Sequence, residues 1–139
     1  MNWIFEIHIE RDGKDFVVTA PDLPEVLTAG ESLEEALMLA QDAVETAIAH
    51  RMDRGLDLAP PSTPAPDAYA IALGAKQAAK AGVYVIWKRA GISKSELARR
   101  MSLKESEARR ILSPHYATKI EALESAARVM GGRLLVGFA

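Results

Sequence analysis

The apolar residues Trp3, Phe5, Ile7 and Ile9 take every second position over residues 3–10, the period of a strand with one buried face, and predict a first strand there. Asp12-Gly13 follows, with residue types suited to the two positive-φ positions of a tight hairpin turn, and residues 16–20 resume a β-rich run. Pro21 and Pro24 interrupt that run because proline cannot donate to a ladder, so a short third strand is expected over residues 26–29, closed by Gly30. The period then changes from two to between three and four. Ser32 with Glu35 forms a capping box, and Leu33, Leu37, Ala40, Val44, Ala47 and Ile48 give the following helix one apolar stripe, with Gly55 as its stop.

A proline-rich stretch, residues 59–67, comes next, and the apolar run at residues 69–73 is a candidate strand to complete the first sheet, which would make the stretch an internal loop open to proteolysis. Residues 75–89 read as a helix through Ala78, Ala81, Val85 and Ile86, ended by Gly91, although Val83, Tyr84 and Val85 are β-prone. From Lys94 the spacing fits a helix-turn-helix. Leu97, Ala98, Met101, Leu103, Ala108 and Ile111 fall at the fourth, fifth, eighth, tenth, fifteenth and eighteenth positions, where two crossing helices need apolar residues and one small one. The ninth position, which favours glycine for a positive φ, is Ser102, and Ser93 with Glu96 makes a second capping box. A last helix after Pro114 carries Ile120, Leu123, Ala127 and Met130, stopped by Gly131-Gly132, and residues 134–138 read as a terminal strand in need of a partner edge, across a dimer or on its own domain. The expected fold is α+β: three to four strands and one helix over residues 1–73, then an all-α domain with a terminal strand over residues 74–139.

Composition narrows the function more than the fold. A chain of 139 residues with 49% hydrophobic and 26% charged positions folds as a globular protein, and no apolar run reaches the roughly 18 residues of a membrane span. The charged start of the chain lacks a signal-peptide core, so a cytoplasmic location is expected. The absence of cysteine removes disulfides, thiol nucleophiles and thiolate metal sites, and 6% aromatics argue against a base-stacking platform. His8, His50 and His115 form no ligand pair, and no phosphate-binding or nucleophile-elbow motif occurs. The nearest approach to a catalytic set is Asp12, Asp15 and Asp22, of which Asp12 is better explained by its turn and Asp22 by the proline loop, so no enzyme, metal or cofactor is expected.

The net charge of −2 conceals a division. Residues 1–67 hold 4 Lys+Arg against 14 Asp+Glu, net −10, whereas residues 68–139 hold 13 against 5, net +8. A basic half suits a polyanion and an acidic half suits a cationic protein, the plainer alternative being that the halves attract each other. If the second helix of the motif enters the major groove, Arg109 is the best base reader, since a guanidinium matches two acceptors on guanine. Glu105 and Ser106 also reach base edges, Glu105 either accepting from cytosine or favouring the helix N-terminus. Lys94, Lys104 and Arg110 suit phosphates, giving affinity and salt dependence but little sequence choice.

The N-terminal residues resemble a known family. Pro21-Asp22-Leu23-Pro24, Thr28-Ala29-Gly30-Glu31-Ser32, Glu34-Glu35-Ala36-Leu37 and Asp42-Ala43 are similar to the N-terminal domain of the HicB antitoxins, with Glu25-Val26 where that family commonly has Gly-Cys. The segment from Ile92 to Arg100 resembles the second helix of the lambda-repressor-like family, and Ser113-Pro114-His115, Lys119-Ile120 and the closing Gly-Arg-Leu-Leu-Val resemble HicB antitoxins with this kind of DNA-binding domain. The resemblance implies a partial ribonuclease-H-like first domain that blocks a HicA-type ribonuclease toxin, and a second domain that represses the operon as a homodimer or higher oligomer. Asp22, Glu31, Glu34 and Glu35 are the charged candidates for the toxin surface. The competing expectation is a stand-alone repressor whose first domain senses a small molecule or only dimerises.

Overall fold

In the computed structural model, which describes all 139 residues, the elements follow as β1 (Ile4–Asp12), β2 (Asp15–Ala20), β3 (Leu23–Gly30), α1 (Leu33–Asp53), β4 (Tyr69–Ala72), α2 (Ala75–Ala90), α3 (Lys94–Met101), α4 (Glu105–Leu112) and α5 (Ile120–Val129). The architecture is α+β. The chain divides into two compact units, the first made of Met1–His50 with Pro60–Gly74 and the second of Arg51–Ala59 with Ala75–Ala139.

The first unit is an antiparallel sheet in the order β3-β2-β1-β4 with α1 beside it. The alternation read from the sequence sets its faces: Trp3, Phe5, Ile7, Val18, Ala20 and Ile71 are buried, and Ala36, Ala40, Val44, Ala47 and Ile48 of α1 are buried with them. Leu33, expected in that stripe, is 36% exposed, because it stands at the first residue of the helix, before the apolar face has come under the sheet. The Ser32 hydroxyl accepts from the Glu35 N–H at 3.1 Å and starts the helix. Gly30 allows the close approach that follows: a Cβ there would lie 2.5 Å from the Ala36 nitrogen.

Two local expectations are corrected in the sheet. The hairpin loop is Gly13-Lys14, with Asp12 still paired to Asp15, and only Gly13 has a positive φ (60°), the pattern of a turn with glycine at its first central position. β3 begins at Leu23, three residues before the expected start. Pro24 is tolerated because β3 is an edge strand with an irregular register opposite Thr19 and Ala20, where a missing N–H costs no ladder bond. The residues 69–73 do supply the fourth strand, β4 pairing with β1 through Ile4↔Ala72 and Ile7↔Tyr69. The proline-rich stretch is fastened at two points: the Asp22 carboxylate accepts from the Ser62 N–H at 2.8 Å, and Glu6 accepts from the Ala65 N–H at 2.8 Å. That second bond, more than the neighbouring His8, holds the Glu6 carboxyl below its ordinary range.

In the second unit α2 to α5 surround a core of Ala79, Val83, Leu97, Ala98, Ala108, Ile111, Leu112, Leu123, Ala126 and Ala127. The β-prone run Val83-Tyr84-Val85 is helical and buried, since tertiary burial outweighs local propensity. Residues 54–59 lie along α2, where Tyr84 donates its hydroxyl to the Leu56 carbonyl at 2.6 Å and Lys88 donates to the Gly55 carbonyl at 3.0 Å. The terminal strand expected at residues 134–138 does not form. A strand is a pairing of two segments, and the all-helical second unit offers no edge to pair with.

Gly30→Ala is expected to destabilise the chain by about 1–3 kcal/mol through overpacking against Ala36. The check is the denaturant midpoint at unchanged slope; a midpoint equal to that of the parent chain would show that β3 and α1 separate freely.

Candidate functional site

The most chemically loaded surface lies on α3, α4 and the turn between them. Ser93 starts α3, its hydroxyl accepting from the Glu96 N–H at 3.0 Å, but the reciprocal half of the capping box is not made. The Glu96 carboxylate instead takes Arg99 at 2.6 Å and Arg100 at 3.0 Å, and these two arginines hold its pKa at about 2. Ser102 then turns into the left-handed region at φ 56° and ψ 41°, while its N–H closes α3 on the carbonyls of Ala98 and Arg99. Leu97, Ala98, Ala108 and Ile111 are buried, with Met101 and Leu103 packed against the same core, so all six apolar positions of the motif face inward. Lys104, Glu105, Ser106, Arg109 and Arg110 are consequently exposed.

These side chains are organised by their neighbours. Arg109 donates to the Glu105 carboxylate at 2.6 and 3.2 Å, one helical turn back, and this pairing, with a further hydrogen bond from Ser95, lowers the Glu105 pKa. Arg110 stands 5.8 Å from the centre of the Tyr116 ring and Lys94 5.8 Å from that of Trp87, each a cation over an aromatic face. Lys94, Ser106, Arg109 and Arg110 line one open cleft of about 370 Å³, together with Met52, Asp53, Leu112, Ser113 and Tyr116. Four of the six candidate DNA-contact residues thus share one site, Glu105 adjoins it through Arg109, and Lys104 sits at the N-cap of α4.

Sequence reasoning missed the residue that holds the end of α4. Lys80 is 4% exposed and donates to the Arg110 carbonyl at 2.8 Å and the Ser113 carbonyl at 2.6 Å, so a buried ammonium satisfies carbonyls where the helix stops. Burial lowers its pKa to about 8. The available signal was its place in the sequence, a lone lysine between Ala79 and Ala81 on an otherwise apolar stretch of α2. His115, which sequence reasoning left unassigned, pairs with Asp53 at the rim of the cleft.

The acidic candidates do not gather into one patch. Asp22 and Glu31 flank the two ends of β3, roughly 30 Å apart at strand rise. The Asp22 carboxylate is occupied by Ser62, whereas Glu31, Glu34 and Glu35 are exposed around the start of α1, Glu31 facing Lys14 at 3.9 Å. No group of three or more His, Cys, Asp or Glu is placed to hold a metal ion, and no helix is long and apolar enough to cross a membrane. Both surfaces are rich in exposed charged side chains.

Residues 2–82 match the family model described as the HicB-like antitoxin of bacterial toxin-antitoxin systems. The chain belongs to the HicB-like antitoxin family. It is 33% identical to Antitoxin HicB 2 of Photorhabdus laumondii, the alignment covering 96% of this chain and 94% of the relative. It is 35% identical to Antitoxin HicB of Pseudomonas fluorescens (96% and 91%) and 32% identical to Antitoxin HicB of Escherichia coli K12 (86% and 86%). The family match lies on the acidic sheet unit and the start of α2, while the similarity to these antitoxins continues through α3 and α4.

Ser102→Gly removes the strain of a left-handed non-glycine residue, against glycine's own entropic cost, and is expected to stabilise the chain by about 0.5–1 kcal/mol; an unchanged melting temperature would contradict this. Lys80→Met leaves two carbonyls without their donor and is expected to cost about 1–3 kcal/mol at neutral pH. Because the folded pKa of Lys80 is depressed, the cost of burying its charge is fully present below pH 8 and fades as pH rises towards the ordinary value of 10.5. The stability gap between parent and Lys80→Met should therefore widen between pH 8 and 10.5, as denaturant titrations across that window would read.

Proposed function

We propose that this antitoxin binds and blocks a HicA-type mRNA-cleaving ribonuclease toxin through residues 1–73, and that as a homodimer it binds operator DNA through residues 74–139 to repress its own operon. The observation that carries the reading is the segregation of charge by unit. The first holds 2 Lys+Arg against 12 Asp+Glu, net −10, and the second 15 against 7, net +8. An RNA-cleaving toxin needs a cationic surface for phosphates, and an anionic protein competes with RNA for that surface and steers the encounter. Glu31, Glu34 and Glu35 are the assigned contacts; Asp22 acts through the proline-rich stretch that it fastens.

On the DNA side, α4 is the reading helix of a helix-turn-helix. Arg109 reads base edges, with Glu105 orienting its guanidinium and Ser106 beside it, while Lys94, Lys104 and Arg110 neutralise phosphates. Both tasks place the protein in the cytoplasm, and neither asks for a metal, a cofactor or bond-breaking chemistry of its own.

Arg109→Ala is expected to weaken operator binding by about 1–3 kcal/mol and to relax the base preference at one position of each half-site, whereas Lys104→Ala should weaken all duplexes alike and reduce the salt slope by about one. Fluorescence anisotropy on operator and scrambled duplexes at several salt concentrations reads both. Operator affinity untouched by Arg109→Ala would remove α4 from the role of reader.

A further inference from the structure

Arg110 is held at both ends. Its guanidinium lies 5.8 Å from the centre of the Tyr116 ring, and its carbonyl accepts from the Lys80 ammonium at 2.8 Å as well as from the Ser113 N–H at 3.2 Å, where α4 stops. Lys80 donates a second time, to the Ser113 carbonyl at 2.6 Å. The C-terminal end of a helix is a poor place for an anion. Its last carbonyls have no partners within the helix and amount to roughly half a negative charge, yet Arg109, Arg110 and Leu112 of that end of α4 line the open cleft. A phosphate brought to Arg110 therefore meets the wrong pole of the helix.

Lys80 reverses that sign. Its ammonium sets a full charge against the half charge of the helix end, and because the side chain is buried, salt screens it little. At pH 7 it keeps its proton, since burial lowers its pKa only to about 8. Capping alone does not account for the charge: a neutral amide also donates to carbonyls, and burying an ammonium costs more than burying an amide. Lys80 is the only charged residue the chain buries. The one carboxylate lining the cleft, that of Asp53, is taken by His115. We propose that Lys80 is a positioning residue for DNA: its buried charge offsets the carbonyls that end α4, so that a duplex phosphate can lie against Arg110, which Tyr116 holds in place for it.

The proposal rests on the DNA reading of the second unit and deepens it. Its test takes the full chain at pH 7, a duplex from the region upstream of its own gene and a scrambled duplex, with affinity read by fluorescence anisotropy and folding by circular dichroism. Lys80→Met should weaken binding to both duplexes alike, by about threefold to tenfold, and reduce the salt slope by about one, as Arg110→Ala should. The double variant should bind no worse than Arg110→Ala, because both changes remove one contact. Lys80→Gln separates this role from a structural one. It keeps a donor without the charge, so it should melt above Lys80→Met and yet bind no more tightly; should Lys80→Met not fold, Lys80→Gln is compared with Arg110→Ala in its place. Tyr116→Leu, at an exposed ring, should also weaken both duplexes, whereas Tyr116→Phe should bind as the parent does. Affinity that recovers with stability in Lys80→Gln, losses that add in the double variant, or a lysine variant that binds as the parent does overturns the proposal and leaves the DNA reading standing. A parent chain that binds neither duplex overturns both.

Discussion

The pairing of β4 with β1 is the constraint on which the path of the chain depends. Four residues, Tyr69–Ala72, close one side of a three-stranded meander that would otherwise expose the ladder of β1, which carries the buried Phe5 and Ile7, as a free edge. To reach that edge the chain must return after α1 has already contributed its last turn and residues 54–59 to the second unit. It crosses between units three times. The return runs through residues 60–67, and here composition matters: prolines limit the conformations to be ordered and offer few N–H groups to satisfy. Of the N–H groups that remain, those of Ser62 and Ala65 each find a carboxylate, Asp22 and Glu6 respectively. Two acidic residues that look like surface charge in the sequence are thus part of how the sheet is completed.

The same pairing explains why both edges of this sheet are quiet. β4 is only four residues long, and β3, at the other edge, carries Pro24 and an irregular register opposite Thr19 and Ala20. Short edges and proline are the usual means of discouraging strand addition. The apolar tail at residues 134–138 has neither protection, and it differs in kind from the edges the chain has blunted.

Legibility in the sequence followed the range of the interactions. The helix starts at Ser32 and Ser93 depend on contacts three residues apart and were readable, as were the six apolar positions between Leu97 and Ile111, whose spacing is set by two helices crossing once. The left-handed turn at Ser102 was anticipated from its position in the motif despite the absence of glycine. Features that rest on distant partners were not readable. Nothing near Leu23 in sequence says that β3 will be an edge strand and so tolerate Pro24; nothing near Asp22 names Ser62, 40 residues on, as its partner. Lys80 is the clearest case in the candidate site, because its role is defined by carbonyls of residues 110 and 113.

In the role proposed for α4, the pairing of Arg109 with Glu105 bears on how a reading helix can sit in solvent before it meets DNA. An exposed guanidinium samples many rotamers, and ordering it on binding costs free energy. Glu105, one turn nearer the helix N-terminus, holds the arginine along the outer face of α4 and is itself kept ionised by it. The exposed pair adds little to stability. In the proposed DNA reading its effect would be on selection: the carboxylate repels a phosphate and competes for the guanidinium, so Arg109 would leave it for a site that offers two acceptors in the right plane. Lys94 and Arg110 lie over aromatic rings and hydrogen-bond to no carboxylate, although Lys94 also helps to hold Glu105 ionised; in the proposed role both remain open to phosphates. Arg109 is thus hydrogen-bonded to a carboxylate while Lys94 and Arg110 lie over rings, a difference that suits the proposed division between reading bases and holding the backbone.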